Sequence, residues 1–180
     1  MKKTGSIGFN QGFIDLINRY FESGILKDCK GITDTTRNLI IAVLKTATEE
    51  GRSLDWIVNK LTIESDLTLD RARLIARTET LTATNQAAYF AAAKTGLLMK
   101  KEWLSANDSR VRSDHQNVNG SRIDMEDYFT VGNSKMLLPG ARTQQNGLPT
   151  PAGEVVNCRC QCLFIPQRIN GRLVEHDYGL

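Results

Sequence analysis

Glu154-Val155-Val156-Asn157-Cys158-Arg159-Cys160-Gln161-Cys162-Leu163-Phe164-Ile165 reads as the best strand in the chain, and that reading decides the fold class. Side chains two apart on an extended strand project from the same face, so Cys158, Cys160 and Cys162 would stand in one row. Such a row suits a buried apolar stripe, because free cysteine behaves as a small hydrophobe. It equally suits ligands converging on one ion. Cys158 and Cys160 with an imidazole such as His115 would supply much of a tetrahedral zinc site, the fourth donor coming from Cys162, Asp108, Asp114 or water. The usual zinc spacing is C-x-x-C and this one is C-x-C, so both alternatives stay open.

Downstream, Pro166 ends the strand, and Arg168 to Val174 forms a small hairpin turning at Asn170-Gly171, followed by a loose tail. Immediately upstream, Ala141 to Gly153 holds Gly147, Pro149, Pro151 and Gly153, the composition of an irregular surface loop. Further back, Ser121 to Gly140 should contain a short strand at Arg122-Ile123, a turn or short helix near Glu126 and a loop closing at Leu138-Pro139-Gly140. Met99 to Ser105 reads as a strand carrying Trp103. It leads through the turn residues Asn107-Asp108-Ser109 into a loop with Arg110, Arg112, Asp114 and His115, which closes at Asn119-Gly120.

The chain before Gly96 is helical in pattern. Phe9, Phe13, Ile14, Ile17 and Phe21 recur at three- and four-residue steps over residues 9 to 23, with Gly24 as the stop. Asp34 or Thr35 caps a second helix that turns Leu39, Ile40, Val43 and Leu44 inward and ends at Glu50-Gly51. Ser53 caps a third, Leu54 to about Glu64, with Leu54, Trp56, Ile57 and Leu61 on one side. Thr68 caps the longest, which runs to Thr95 and stops at Gly96. Its centre, Ala76 to Ala88, is dense in polar residues, and Thr78 and Asn85, seven apart, share a face. That density predicts a face meeting a polar network instead of plain core.

At 180 residues, with 41% hydrophobic and 24% charged content, the chain can bury a core and is not a disordered one. Its apolar runs fall far short of the roughly 20 residues that cross a bilayer, so no membrane partner is expected. Ser6 to Gln11 lacks the apolar core of a signal peptide, and Cys29 stands alone while the other thiols crowd together, which excludes a secreted disulfide framework. Both point to the cytosol. A net charge of +3 does not by itself argue for nucleic acid. From Ala141 to Arg172, however, Arg142, Arg159, Arg168 and Arg172 face one acid, Glu154, and such a strip could touch phosphate.

The expected fold is α+β: a helical N-terminal region (1–66), then a long helix packed on a small, mainly antiparallel sheet (67–165), then a C-terminal hairpin and tail (166–180). Read in this order, several pieces resemble the Mu-F-like head morphogenesis family, the minor head proteins of tailed bacteriophages and prophages. They are Ile75-Ala76-Arg77-Thr78-Glu79 with Asn85, Lys101-Glu102-Trp103, Asp108-Ser109-Arg110-Val111-Arg112 with His115, Asn119-Gly120, Asp124, Phe129, Leu138-Pro139-Gly140 and Asn157-Cys158-Arg159-Cys160. The resemblance implies a component of the virion head or procapsid, assembled in the bacterial cytoplasm. It further implies partners among the portal and other head proteins, in whose company the protein could travel with the DNA, and the basic strip is expected to touch that DNA only weakly. Many members carry toxin or enzyme domains fused downstream, and none is expected within these 180 residues.

Two readings compete for the polar residues. In the structural one, Arg77, Glu79, Asn85, Asp108, Arg110, Arg112 and Arg159 form a network tying the 107–115 loop and the terminal strand to the long helix. Here Asp108 and Asp114 pair with Arg110, Arg112, Arg77 or Arg159. In the enzymatic one, a nuclease-like site centres on His115, oriented by Asp108 or Asp114, with Arg110, Arg112 and Arg159 on phosphate. That site lacks a second histidine in context and carboxylates at two-metal spacing. A Cys158 nucleophile with His115 as base would lack an evident oxyanion hole. The structural reading is preferred.

Overall fold

The computed structural model describes residues 11–23, 25–26 and 31–179; the expected roles of Phe9, Gly24 and Cys29 lie outside them. The chain divides into two compact units, residues 1–76 and 77–180.

The first unit is helical. α1 (Gln11–Glu22) buries Ile14, Ile17, Tyr20 and Phe21, so its stripe includes a tyrosine and leaves Phe13 only half-buried. α2 (Asp34–Glu50) buries Ile40, Val43, Leu44 and Ala47. Its cap is Thr33, one residue before the expected pair: the Thr33 hydroxyl accepts from the Thr36 amide at 3.1 Å, while Asp34 is already helical and sits against the positive end of the helix. Gly51 closes α2 in the left-handed region at φ 64°. α3 (Leu54–Glu64) is capped by Ser53 as expected and buries Ile57, Val58 and Leu61.

α4 (Leu69–Ala93) begins in the first unit and continues into the second. After Gly96 comes β1 (Met99–Leu104), the centre of a three-stranded antiparallel sheet of order β2-β1-β5, with β2 at Arg122–Asp124 and β5 at Gln161–Pro166. The sheet's inner face carries Met99, Lys101 and Trp103 from β1, and Cys162 lies directly opposite Trp103. Trp103 and Cys162 join Phe129, Val131, Met136 and the other two cysteines of the 158–162 stretch in one buried cluster. The α+β reading stands.

Four local expectations are corrected. Only Gln161–Pro166 of the 154–165 stretch is strand; residues 152–155 form a short helix, α6 (Ala152–Val155), and Asn157 at φ 56° reverses the backbone, which no continuous strand permits. Residues 113–117, read as loop, form a short helix, α5 (Ser113–Asn117). Between Ser121 and Gly140 a hairpin goes unanticipated, β3 (Phe129–Val131) and β4 (Ser134–Met136), joined by Gly132-Asn133. The final hairpin, β6 (Arg168–Ile169) and β7 (Arg172–Leu173), turns at Asn170-Gly171 as expected. The tail beyond it is not loose: the Met99 amide donates to the Tyr178 hydroxyl at 2.7 Å and the His176 amide to the Gly96 carbonyl at 2.9 Å.

Candidate functional site

The second unit is held around the polar face of α4. Asn85, buried, makes three bonds to backbone: its Nδ2 donates to the carbonyls of Pro139 (3.0 Å) and Cys160 (3.1 Å), and its Oδ1 accepts from the Cys162 amide (3.1 Å). One turn back, Thr82 donates to the Thr78 carbonyl at 2.9 Å and lies beside Gly140, whose φ is 81°. Another turn back, the Thr78 hydroxyl accepts the Asn157 amide at 2.9 Å, while Arg77 donates to the Asn157 side chain at 2.9 Å. The stripe 78, 82, 85 therefore fixes both the 139–140 turn and the 157–162 segment.

The reversal at Asn157 and the short α5 bring three side chains together. His115 Nδ1 is 3.4 Å from Cys160 Sγ and 3.5 Å from Cys158 Sγ. His115, Cys158 and Cys160 are each 1% exposed, and their ligand atoms all lie within 4.8 Å of one another. On the far side of the ring, His115 Nε2 is 2.9 Å from Glu154 Oε2. Glu154 faces Nε2 and the two sulfurs face Nδ1, so a neutral imidazole that donates from Nε2 would turn its Nδ1 lone pair to the sulfurs. Trp103 packs edge-on against the imidazole, ring centroids 5.4 Å apart. Its indole Nε1 is buried and makes no hydrogen bond, and the indole shares its buried cluster with Cys160.

The electrostatics follow. Hydrogen bonding between the two thiols pulls their affinities for a proton apart, Cys160 downward and Cys158 upward, with burial adding to the rise at Cys158 and His115 to the fall at Cys160. Burial alone would lower the imidazole, but Cys160 and Glu154 outweigh it and raise it. Cys162 belongs to a different environment: burial pushes its thiol up to about 12, and it is not part of the cluster.

Sequence-predicted residues separate into those brought together and those kept apart. Asp108 does not orient His115: it receives a two-pronged ion pair from Arg159 at 2.6 and 2.7 Å and the Arg110 amide at 3.0 Å. The Arg159 hydrogen bond leads in holding its carboxyl down to about 2. Asp114 lies against Gly132 instead, where an added Cβ would meet its Oδ2 at 2.6 Å. The carboxylate on the imidazole is Glu154, which the sequence reading left unassigned. Arg112 donates to the Val156 carbonyl at 2.6 Å and Arg77 to Asn157, and among the described residues neither pairs with an aspartate. Glu79, 1% exposed, pairs with Arg142, and Arg159 is taken by Asp108. Of the arginine strip, Arg168 and Arg172 are exposed on the last hairpin.

Chemically, the cluster offers two sulfurs and one nitrogen to a single point, sealed from solvent. It is a donor set that could hold a metal. It is a poor nucleophilic site, because a substrate would have to pass a fully packed shell to reach either thiol.

The family model described as phage Mu protein F like protein matches residues 38–163. Among curated proteins, the chain is 31% identical over 143 residues to NAD(+)–arginine ADP-ribosyltransferase EFV of Enterococcus faecalis (strain ATCC 700802 / V583), a match covering 78% of this chain and 27% of that protein. It is 26% identical over 168 residues to minor head protein GP7 of Bacillus phage SPP1, covering 89% of this chain and 52% of that one. The chain thus spans about a quarter and about half of the length of these two relatives. No solved structure matches.

Proposed function

Since the chain belongs to the phage Mu protein F like family, we propose that it is a minor head protein acting in head morphogenesis, located in the virion head or procapsid and in the bacterial cytoplasm during assembly. The observation that carries this reading is the likeness to the SPP1 minor head protein across 89% of the chain. Its partners are other head proteins, the portal vertex first among them. Among the described residues no helix is long and apolar enough to cross a membrane. The transferase activity in the Enterococcus protein's name is not carried over, because the matched stretch is 27% of that protein.

What supports a scaffold over a nuclease is the use made of the polar residues. Asp108, Arg77 and Arg112 are all spent on backbone or side-chain partners within the unit, and His115 is 1% exposed. DNA contact, on this reading, falls to Arg168 and Arg172 and is weak. The cofactor that suits the module is zinc, at Cys158, Cys160 and His115.

The test is co-assembly: the purified chain mixed with the portal protein of the phage or prophage that encodes it should co-migrate with the portal oligomer in size-exclusion chromatography. A chain that elutes alone beside intact portal, and joins only coat protein, removes the portal from the proposal. A DNA affinity that stays constant as salt rises would remove the phosphate contact. Plasmid nicking with magnesium, manganese or zinc that disappears in His115→Ala would replace the scaffold by the enzyme.

A further inference from the structure

We infer that His115, Cys158 and Cys160 form a closed structural metal centre in which Glu154 sets the imidazole and Trp103 completes the surroundings of the Cys160 sulfur, and that this ion braces α5 to the 154–162 segment. This rests on the zinc reading of the cluster and adds to it a role, an orienting carboxylate and a sealed coordination sphere.

Distance gives the first reason. An ion about 2.3 Å from sulfur and about 2.05 Å from nitrogen, with near-tetrahedral angles, sets each sulfur about 3.5 Å from the nitrogen. The two Nδ1 to Sγ separations are 3.4 and 3.5 Å. The two nitrogen-to-sulfur separations therefore already match those that a shared ion sets.

Tautomer gives the second. A metal-bound imidazole needs a bare ligating nitrogen and usually donates its other N–H to a carboxylate, which fixes the ring and strengthens the donor. Glu154 stands 2.9 Å from Nε2, on the side away from the sulfurs, where it can accept that N–H. Glu154 touches no sulfur and is a positioning residue. The third reason is the orphaned indole: a buried N–H without an acceptor is costly, and a metal-bound thiolate at Cys160 is a far better acceptor than a thiol.

Softness and burial decide which ion and which role. Two thiolates and an imidazole favour zinc among divalent ions and exclude magnesium or calcium, which take oxygen. Among the described residues no fourth His, Cys, Asp or Glu donor joins the three, a stoichiometry found in catalytic zinc sites when the open position faces a cleft. Here all three ligands are 1% exposed, so the remaining position can admit a trapped water but no substrate. Structurally the ion would cross-link two elements that cannot stand alone, since α5 has five residues and α6 four.

The full chain, purified anaerobically, is loaded with cobalt(II) and, separately, analysed for zinc. The expected result is one ion per chain, a thiolate-to-cobalt charge-transfer band, and loss of both in Cys160→Ser and in His115→Ala. Glu154→Gln should keep the ion and the band but bind roughly 10- to 100-fold more weakly in competition with a chromogenic chelator. Added azide or cyanide should leave the cobalt spectrum of the wild type unchanged. Hydrogen exchange at 113–117 and 152–160 should quicken on chelation in the wild type. A wild-type chain that binds neither metal overturns the zinc reading itself. A bound ion with Glu154→Gln at wild-type affinity overturns the orienting role alone, and a cobalt spectrum that responds to azide overturns the sealed centre alone.

Discussion

The helical unit and the mixed unit are built by opposite means. In residues 11–76, apolar side chains at helical spacing meet one another, and polar groups do little beyond capping: Thr33 and Ser53 close helix starts, and ion pairs such as Lys45 with Glu22 lie on the surface. In residues 77–179, buried and half-buried polar side chains reach across the fold to hold distant backbone, most of it outside helices and strands. Asn85, Thr78, Arg112 and Lys101 each bond main-chain groups 36 or more residues away. A unit of the first kind tolerates the loss of any one polar group. In one of the second kind, the loss should be felt along the whole segment that the group secures.

The sharpest way to break this contrast is Asn85→Ala. It removes three bonds and strands the carbonyls of Pro139 and Cys160 and the amide of Cys162 in the interior. At about 1 to 3 kcal/mol for each unsatisfied buried group, partly relieved by relaxation, the mixed unit should lose roughly 3 to 5 kcal/mol. The two tryptophans make the measurement specific, because Trp56 lies in the helical unit and Trp103 in the mixed one. In a Trp56→Phe background the Trp103 emission should report a lower urea midpoint. With Trp103→Phe instead, the Trp56 transition should stay near its wild-type midpoint. Equal shifts in both would mean that the units unfold together and the contrast is only geometric.

Gly140→Ala comes next. Its φ of 81° is costly for any residue with a Cβ, and the added carbon would meet Thr82 Oγ1 at 2.6 Å, on the buried side of α4. Left-handed strain of about 1 to 2 kcal/mol with overpacking of about 1 to 3 predicts a loss of roughly 2 to 4 kcal/mol, again confined to the Trp103 transition. Gly51→Ala, at φ 64° with open space around it, carries the strain without the clash and should cost about 1 kcal/mol in the Trp56 transition. A Gly140→Ala effect no larger than that of Gly51→Ala would remove the close approach to Thr82 from the account.

Lys101 sharpens the comparison through pH. Fully buried on the inner face of β1, its ammonium donates to the Leu137 carbonyl at 2.8 Å and lies over the rings of Tyr89 and Phe129. Burial lowers its pKa to about 8, against the smaller upward pull of Cys162 and Asp127. A lysine depressed in the folded state binds fewer protons there than in the unfolded chain, so stability rises as pH climbs above 8. From about pH 9 the buried Cys162 thiol opposes this, because its pKa is raised to about 12 and the unfolded chain releases that proton first. Between pH 8 and 9 the mixed unit should gain up to about 1 kcal/mol, and Lys101→Met should flatten the rise. Persistence of the rise in that variant would assign it to another group.

How much could be read from residues alone follows the same division. Capping residues and apolar spacing gave α2, α3 and α4 nearly to the residue, since each signal is local. β1 and the Asn170-Gly171 hairpin were legible for the same reason. The 154–160 segment was not, because its path is set by Thr78 and Arg77, about 80 positions earlier, and alternation of Val and Cys looks alike in a strand and in a pinned coil. Gly132-Asn133 is a recognised two-residue turn signal, but β3 and β4, which it joins, have three residues each and are too short to show an alternation of their own. Lys101 sits in an inward row, Met99, Lys101, Trp103, where a lysine reads as solvated. Of the candidate site, residue type pointed to His115, Cys158 and Cys160. Glu154 carried no signal, because its partner is 39 residues away and its neighbourhood had the composition of a surface loop.

The smallest expected effect tests the helical unit by its own rule. Thr33→Ala removes the hydroxyl that accepts the Thr36 amide at 3.1 Å, and Ser53→Ala the one that accepts the Trp56 amide at 3.2 Å. Both caps are exposed, so water can take over the freed amides, and each loss should cost about 0.5 to 1 kcal/mol in the Trp56 transition. Because the caps serve different helices and share no partner, the double variant should lose the sum of the two within about 0.5 kcal/mol. Additivity is what a unit assembled from locally specified pieces must show. A double variant that loses much more than the sum would mean that α2 and α3 start through one shared network. The helical unit would then be built like the mixed one.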